Sequence, residues 1–149
     1  MKFLKSFFLT LKGWLSKRQI PHSPVVAVSD NEQLARYIFS KSHFSRQSNR
    51  VKAEAYMPNR GQVSVFRIDG LTESAIWGIG DYIALKRERT LYGRGDTTAN
   101  QVRNAGLDIS SDEPPPRHAN LIGWPENDKG RHKLIALQIA AVATLVLKE

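Results

Sequence analysis

The sequence predicts an α+β domain: a small mixed sheet, including a β-hairpin over residues 51–68, packed on a buried C-terminal helix, with an amphipathic helix at the N-terminus. Three observations carry this. Two strand-like runs, Val51–Met57 and Gln62–Ile68, flank Pro58-Asn59-Arg60-Gly61, a turn of hairpin composition. From Leu134 to Leu147 the apolar residues fall on nearly every side, the pattern of a buried helix. Phe3, Leu4, Phe7, Phe8, Leu11, Trp14 and Leu15 recur at three- and four-residue steps, with Lys2, Lys5, Lys12 and Ser16 opposite.

The N-terminal stripe is too short and too charged to span a bilayer, and no small-residue cleavage site follows it. Such a helix packs on its own domain, docks in a partner's groove or lies on an anionic membrane, and Phe3, Phe7, Phe8, Leu11 and Trp14 are the candidate contacts. Gln19 to Pro24 has linker composition, dividing residues 1–20 from a single domain over 25–149.

Within the domain, Val25–Val28 reads as a short strand. Ser29 and Glu32 have capping-box spacing and predict a helix to about Ser42, with Leu34, Ala35, Ile38 and Phe39 on its buried face. Alternation places Val51, Ala53, Ala55 and Met57 on one face of the first hairpin strand. In the second it separates Val63, Val65 and Arg67 from Ser64, Phe66 and Ile68. Thr72 caps a helix to about Leu85, with Ile76, Ile79 and Ile83 inward; Lys86–Arg89 is a charged turn and Thr90–Tyr92 a strand. Asp96 or Thr97 caps a short helix that stops at Gly106. Leu107–Ile109 and Ala119–Ile122 read as strands flanking the Ser-Asp-Glu-Pro-Pro-Pro connection, and Asn127 or Asp128 opens the last helix.

Charge is distributed unevenly. Residues 1–60 hold eleven cations against three acids, whereas residues 61–149 hold eleven of each, so the whole net charge of +8 lies in the first part. That asymmetry points to a polyanion, with nucleic acid the leading partner and Arg36, Lys41, Arg46, Arg50, Lys52 and Arg60 the phosphate contacts. Tyr37, Phe39, Phe44 and Tyr56 are interleaved with them as candidate stacking residues. The absence of cysteine excludes disulfides, thiolate metal sites and cysteine nucleophiles and fits a cytoplasmic protein, peripheral to a membrane if the N-terminal helix lies on one. The four histidines are scattered, and no cofactor or metal motif is present: Gly78-x-Gly80 and Gly93-x-Gly95 fall short of a dinucleotide fingerprint. Serine catalysis has no local signature such as G-x-S-x-G.

Two local sites stand beside the polyanion reading. Arg94, just ahead of an expected helix N-terminus, is a candidate phosphate ligand. The alternative function is metal-independent ribonuclease or related phosphoryl-transfer chemistry. His43 and His118 would serve as base and acid in unassigned order, with Arg67 and Lys129 stabilising phosphorane charge. The stretch from Glu113 to Lys133 concentrates three prolines, two histidines and a Gly-Trp-Pro turn, making it the densest local candidate.

Overall fold

Strand β1 (Gln33–Ile38) lies inside a six-stranded sheet of order β6-β7-β4-β1-β5-β8 in a computed structural model that describes residues 27–149. The other strands are β4 (Val63–Arg67), β5 (Gly93–Thr98), β6 (Asp108–Ser111), β7 (His118–Ile122) and β8 (Thr144–Leu147). A separate two-stranded ribbon joins β2 (Phe44–Ser45) to β3 (Arg50–Val51). Every registered pair is antiparallel, so the sheet is not mixed in strand direction, while the α+β class holds.

Helices cover both faces. Helix α1 (Glu73–Arg87) packs Ile76, Ile79 and Ile83 with Ala35, Tyr37, Phe66 and Leu91 on one side. On the other, α2 (Ala99–Asn104), α3 (Lys129–Val142) and the 3₁₀ turn Ala53–Tyr56 enclose Leu34, Ile38, Val63, Val65, Val102, Leu121 and Ile139.

This arrangement explains why the expected helix over 29–42 is a strand. β1 is hydrogen-bonded on both edges and covered on both faces, so its apolar residues need not alternate with polar ones. Leu34 and Ala35 lie on opposite sides of the sheet, not on one helical stripe. Glu32 does reach back to the Ser29 N–H, at 3.3 Å, but the turn so closed delivers a strand. Ala27 and Val28 are not in a strand; the rest of that expected element, and the N-terminal contacts Phe3, Phe7, Phe8, Leu11 and Trp14, lie outside the described residues.

The hairpin over 51–68 is also corrected. Its turn forms, with reciprocal Asn59–Gln62 backbone bonds of 2.9 and 3.2 Å and both Arg60 and Gly61 at positive φ. The residues before it coil into the 3₁₀ turn, and β4 pairs with β1 and β7 instead. The alternation within β4 is as expected: Val63, Val65 and Arg67 face α3, and Phe66 faces α1.

Thr72 caps α1 by accepting from the Ala75 N–H, and the helix runs to Arg87 before Glu88 takes a left-handed conformation. Thr90–Tyr92 is not a strand; β5 begins immediately after it, in the Gly-Arg-Gly-Asp run expected to lead into a helix. The helix cap is Thr98, in a reciprocal capping box with Gln101, and Gly106 ends the segment at φ 94°. β6 and β7 flank the proline-rich connection as expected.

Asp128 caps α3, but the C-terminal helix is not buried all round. Only Ala136, Ile139 and Ala140 are buried, Leu134 and Leu137 are 66% and 48% exposed, and the chain leaves the helix after Val142 to form edge strand β8. Among the described residues no helix is long and apolar enough to cross a membrane.

Candidate functional site

The four residues assigned to acid–base chemistry occupy separate places. Arg67 projects toward the α3 side and is 1% exposed, with Nη2 donating to Glu32 Oε2 at 2.8 Å and Nη1 to Ser111 Oγ at 2.9 Å. His118, on the adjacent strand, projects to the α1 side, in a T-shaped contact with Phe66 whose ring centroids lie 5.3 Å apart. His43 sits in the 3₁₀ turn Lys41–His43, where desolvation, then the charge of Arg36, lowers its basicity. Lys129 opens α3 and lines a cleft of about 400 Å³ with Pro58, Arg60, Trp124 and His132. The expected convergence on one phosphate is therefore corrected: sheet alternation alone puts Arg67 and His118 on opposite faces.

The six phosphate-contact candidates also divide. Arg36 turns inward, Nε donating to the Ala55 carbonyl at 2.8 Å and Nη1 to that of Ser64 at 2.9 Å; burial pulls its pKa down to about 10. It is a structural tie between β1, the 3₁₀ turn and β4. Lys41 is exposed beside the Tyr92 ring, 6.0 Å from its centroid. Arg46, Arg50 and Lys52 are exposed around the β2–β3 ribbon. Arg50 and Lys52 line a cleft of about 520 Å³ with Asn49, Glu54, Lys133 and Leu137, closed on one side by α3. Lys133 donates to Glu54 at 2.7 Å, neutralising the one acid among the described lining residues. Arg60 belongs instead to the Lys129 cleft. Tyr37, Phe44 and Tyr56 are buried and Phe39 is half-buried under Arg87, so none of the four offers an open ring for stacking.

Arg94 lies within β5, not before a helix N-terminus. It is 2% exposed, with Nη1 and Nη2 donating to Glu73 at 3.1 and 2.9 Å and Nε to Asp96 at 3.0 Å, over the Trp77 ring at 4.7 Å. Two carboxylates and an indole occupy the guanidinium, removing the premise for phosphate binding there.

Most of the Glu113–Lys133 stretch is structural. Arg117 is buried and donates to the Asp69 carbonyl at 3.1 Å; Trp124 Nε1 donates to the Leu121 carbonyl at 3.1 Å; His132 bonds the Pro125 carbonyl and stands edge-on to Trp124. His118 is different. Its Nε2 is 2.7 Å from Ser64 Oγ, its Nδ1 is 2.8 Å from the Asp112 carbonyl and 3.5 Å from the Asp112 carboxylate, and it lines a cavity of about 270 Å³ with Ser64, Phe66, Ile83, Lys86, Arg87 and Pro115. Ser64 was not legible as a partner, because 54 residues separate it from His118 and only the β4–β7 pairing joins them; Asp112, six residues away, meets His118 where the connection between β6 and β7 closes.

Among the described residues no group of three or more His, Cys, Asp or Glu side chains is placed to hold a metal ion. No family model, curated protein or solved structure matches the chain.

Proposed function

We propose that this protein binds nucleic acid through its phosphate backbone, along the cleft between the β2–β3 ribbon and α3. The observation that supports this is the grouping of Arg46, Arg50 and Lys52, all exposed and none in an ion pair among the described residues, beside described lining residues whose one acid, Glu54, is bonded to Lys133. Cations held this way release condensed counterions when they neutralise phosphates, which favours binding without base recognition. The buried aromatics argue for phosphate contact over base stacking. The basic residues 1–20 add charge to the same polyanion or seat the protein on a partner or an anionic membrane through Phe3, Phe7, Phe8, Leu11 and Trp14. The ribonuclease alternative required His43, His118, Arg67 and Lys129 to converge, and their dispersion favours binding.

The test is fluorescence anisotropy with a labelled 20-mer single strand over a range of salt. Three phosphate contacts give a slope of log K against log salt of about −2 for single strands. Arg50→Glu with Lys52→Glu should abolish most binding, and Arg60→Glu should leave it nearly unchanged. No binding at low salt, or affinity independent of salt, would overturn the proposal.

A further inference from the structure

We propose that Ser64, His118 and Asp112 form a second, independent site: a nucleophilic serine centre that hydrolyses small carboxylic esters bearing an anionic group. It lies on the α1 side of the sheet, whereas the basic cleft lies on the α3 side, so neither reading depends on the other.

The protonation pattern follows from geometry. A carbonyl oxygen only accepts, so His118 Nδ1, 2.8 Å from the Asp112 carbonyl, carries the hydrogen. In the neutral ring Nε2 is then an acceptor, and at 2.7 Å it receives the Ser64 hydroxyl proton. This is the alignment in which a serine is activated by an adjacent base. The Asp112 carboxylate, 3.5 Å from Nδ1 and held by Asn120 Nδ2 at 3.0 Å, stands where it stabilises the imidazolium that forms on proton transfer. Phe66 presses on the ring and fixes its plane.

The surroundings supply what a merely structural serine–histidine bond would not need. The pair opens into the cavity of about 270 Å³. Phe66, Ile83 and Pro115 give it apolar walls for a short acyl chain. Lys86 and Arg87, from the last turn of α1, bring two cations to its lining, and Lys86 has no ion-pair partner among the described residues. They suit both a substrate carboxylate and the oxyanion of a tetrahedral intermediate.

In the first step Ser64 Oγ bonds to the ester carbonyl carbon while its proton passes to His118 Nε2. Collapse of the intermediate breaks the bond to the alcohol oxygen, which takes the proton from Nε2 and leaves an acyl-Ser64. In the second step a water gives a proton to Nε2 as its oxygen attacks the acyl carbon. The Ser64 oxygen departs, recovers that proton, and the carboxylic acid is released. The net reaction is ester plus water to acid plus alcohol. Asp112 is a positioning residue in this scheme.

The test uses the full chain with a fluorophosphonate, with p-nitrophenyl butyrate and with mono-p-nitrophenyl succinate. Expected are a mass adduct on the Ser64 peptide and faster turnover of the succinate. Ser64→Ala should lose the adduct, and His118→Gln should slow hydrolysis by about 100-fold or more. Lys86→Ala should erase the preference for succinate. Asp112→Asn should lower kcat with little change in KM. If folded wild type forms no adduct at Ser64, or Ser64→Ala retains the hydrolysis, the proposal is wrong. If the adduct forms with no preference for succinate, the anionic specificity is wrong.

Discussion

Arg67 and His118 stand one residue out of register on adjacent strands, yet their side chains leave opposite faces of the sheet. His118 is paired with Phe66, and the Arg67 N–H donates to the Arg117 carbonyl at 2.8 Å. The backbones touch while the side chains are separated by the full thickness of the sheet. Arg67 therefore serves the fold, through Glu32 and Ser111, and His118 is left to the cavity beneath α1.

Removing the Glu32 charge should strand a buried guanidinium. Glu32 and Arg67 are 6% and 1% exposed, and breaking such a pair costs about 3–5 kcal/mol. Glu32→Gln should lower the urea midpoint sharply at unchanged m-value, and Glu32→Gln with Arg67→Met should recover most of the loss. Equal destabilisation of the single and double variants would show that the pair is not the source.

Gly93 allows the backbone of β8 to approach β5. A Cβ there would stand 2.6 Å from the Val146 carbonyl oxygen and 3.2 Å from the Leu147 Cα. Gly93→Ala should cost about 1–3 kcal/mol, as overpacking does. The accompanying signature is loss of hydrogen-exchange protection in β8, with β4 and β7 retained.

Acid should destabilise the protein through three carboxylates. The Arg94 hydrogen bond holds Glu73 below its ordinary range, the Lys133 hydrogen bond does so for Glu54, and the Ile109 N–H, then Arg103, do so for Asp108. Each depressed folded pKa gives stability that is present above the unfolded pKa and is lost as pH falls through the folded value. Asp96 opposes them: burial raises its pKa, so its contribution is present at low pH and lost as pH rises. With three groups against one, the melting temperature should fall between about pH 5 and pH 2. The gap between wild type and Glu73→Gln should close over the same range; a gap that is constant with pH would contradict this.

The two sides of α3 should respond differently. Leu134 is exposed, so Leu134→Lys should change stability by less than about 0.5 kcal/mol. Ile139 is fully buried, and Ile139→Ala should cost about 2–5 kcal/mol. Chemical denaturation of the two variants distinguishes a helix covering one face of the sheet from one enclosed on every side.

What was legible in the sequence was local. Thr72 and Asp128 announced their helices, the Asn59–Gln62 turn was readable from its residues, and alternation in β4 sorted Val63, Val65 and Arg67 from Phe66. What failed depended on partners distant in sequence. β1 imitates a helix because a strand covered on both sides has no polar face to show period two. β5 contains Gly93 and Gly95, poor strand formers that are required here because β8 and Tyr56 come too close for a side chain. At the site, His118 was visible as a histidine worth attention, whereas Ser64 looked like any outward strand residue until β7 was placed beside β4.

The strand order also dictates when the structure can close. β1 is synthesised first among the six strands, yet its neighbours are β4 and β5, and β5 in turn awaits β8, more than forty residues further on. During synthesis the ribosome therefore releases an unpaired, apolar strand long before its second edge is covered. Such a topology commits the nascent protein to a late, collective closure, with one edge of the strand that carries Leu34 and Ile38 open until β5 is made.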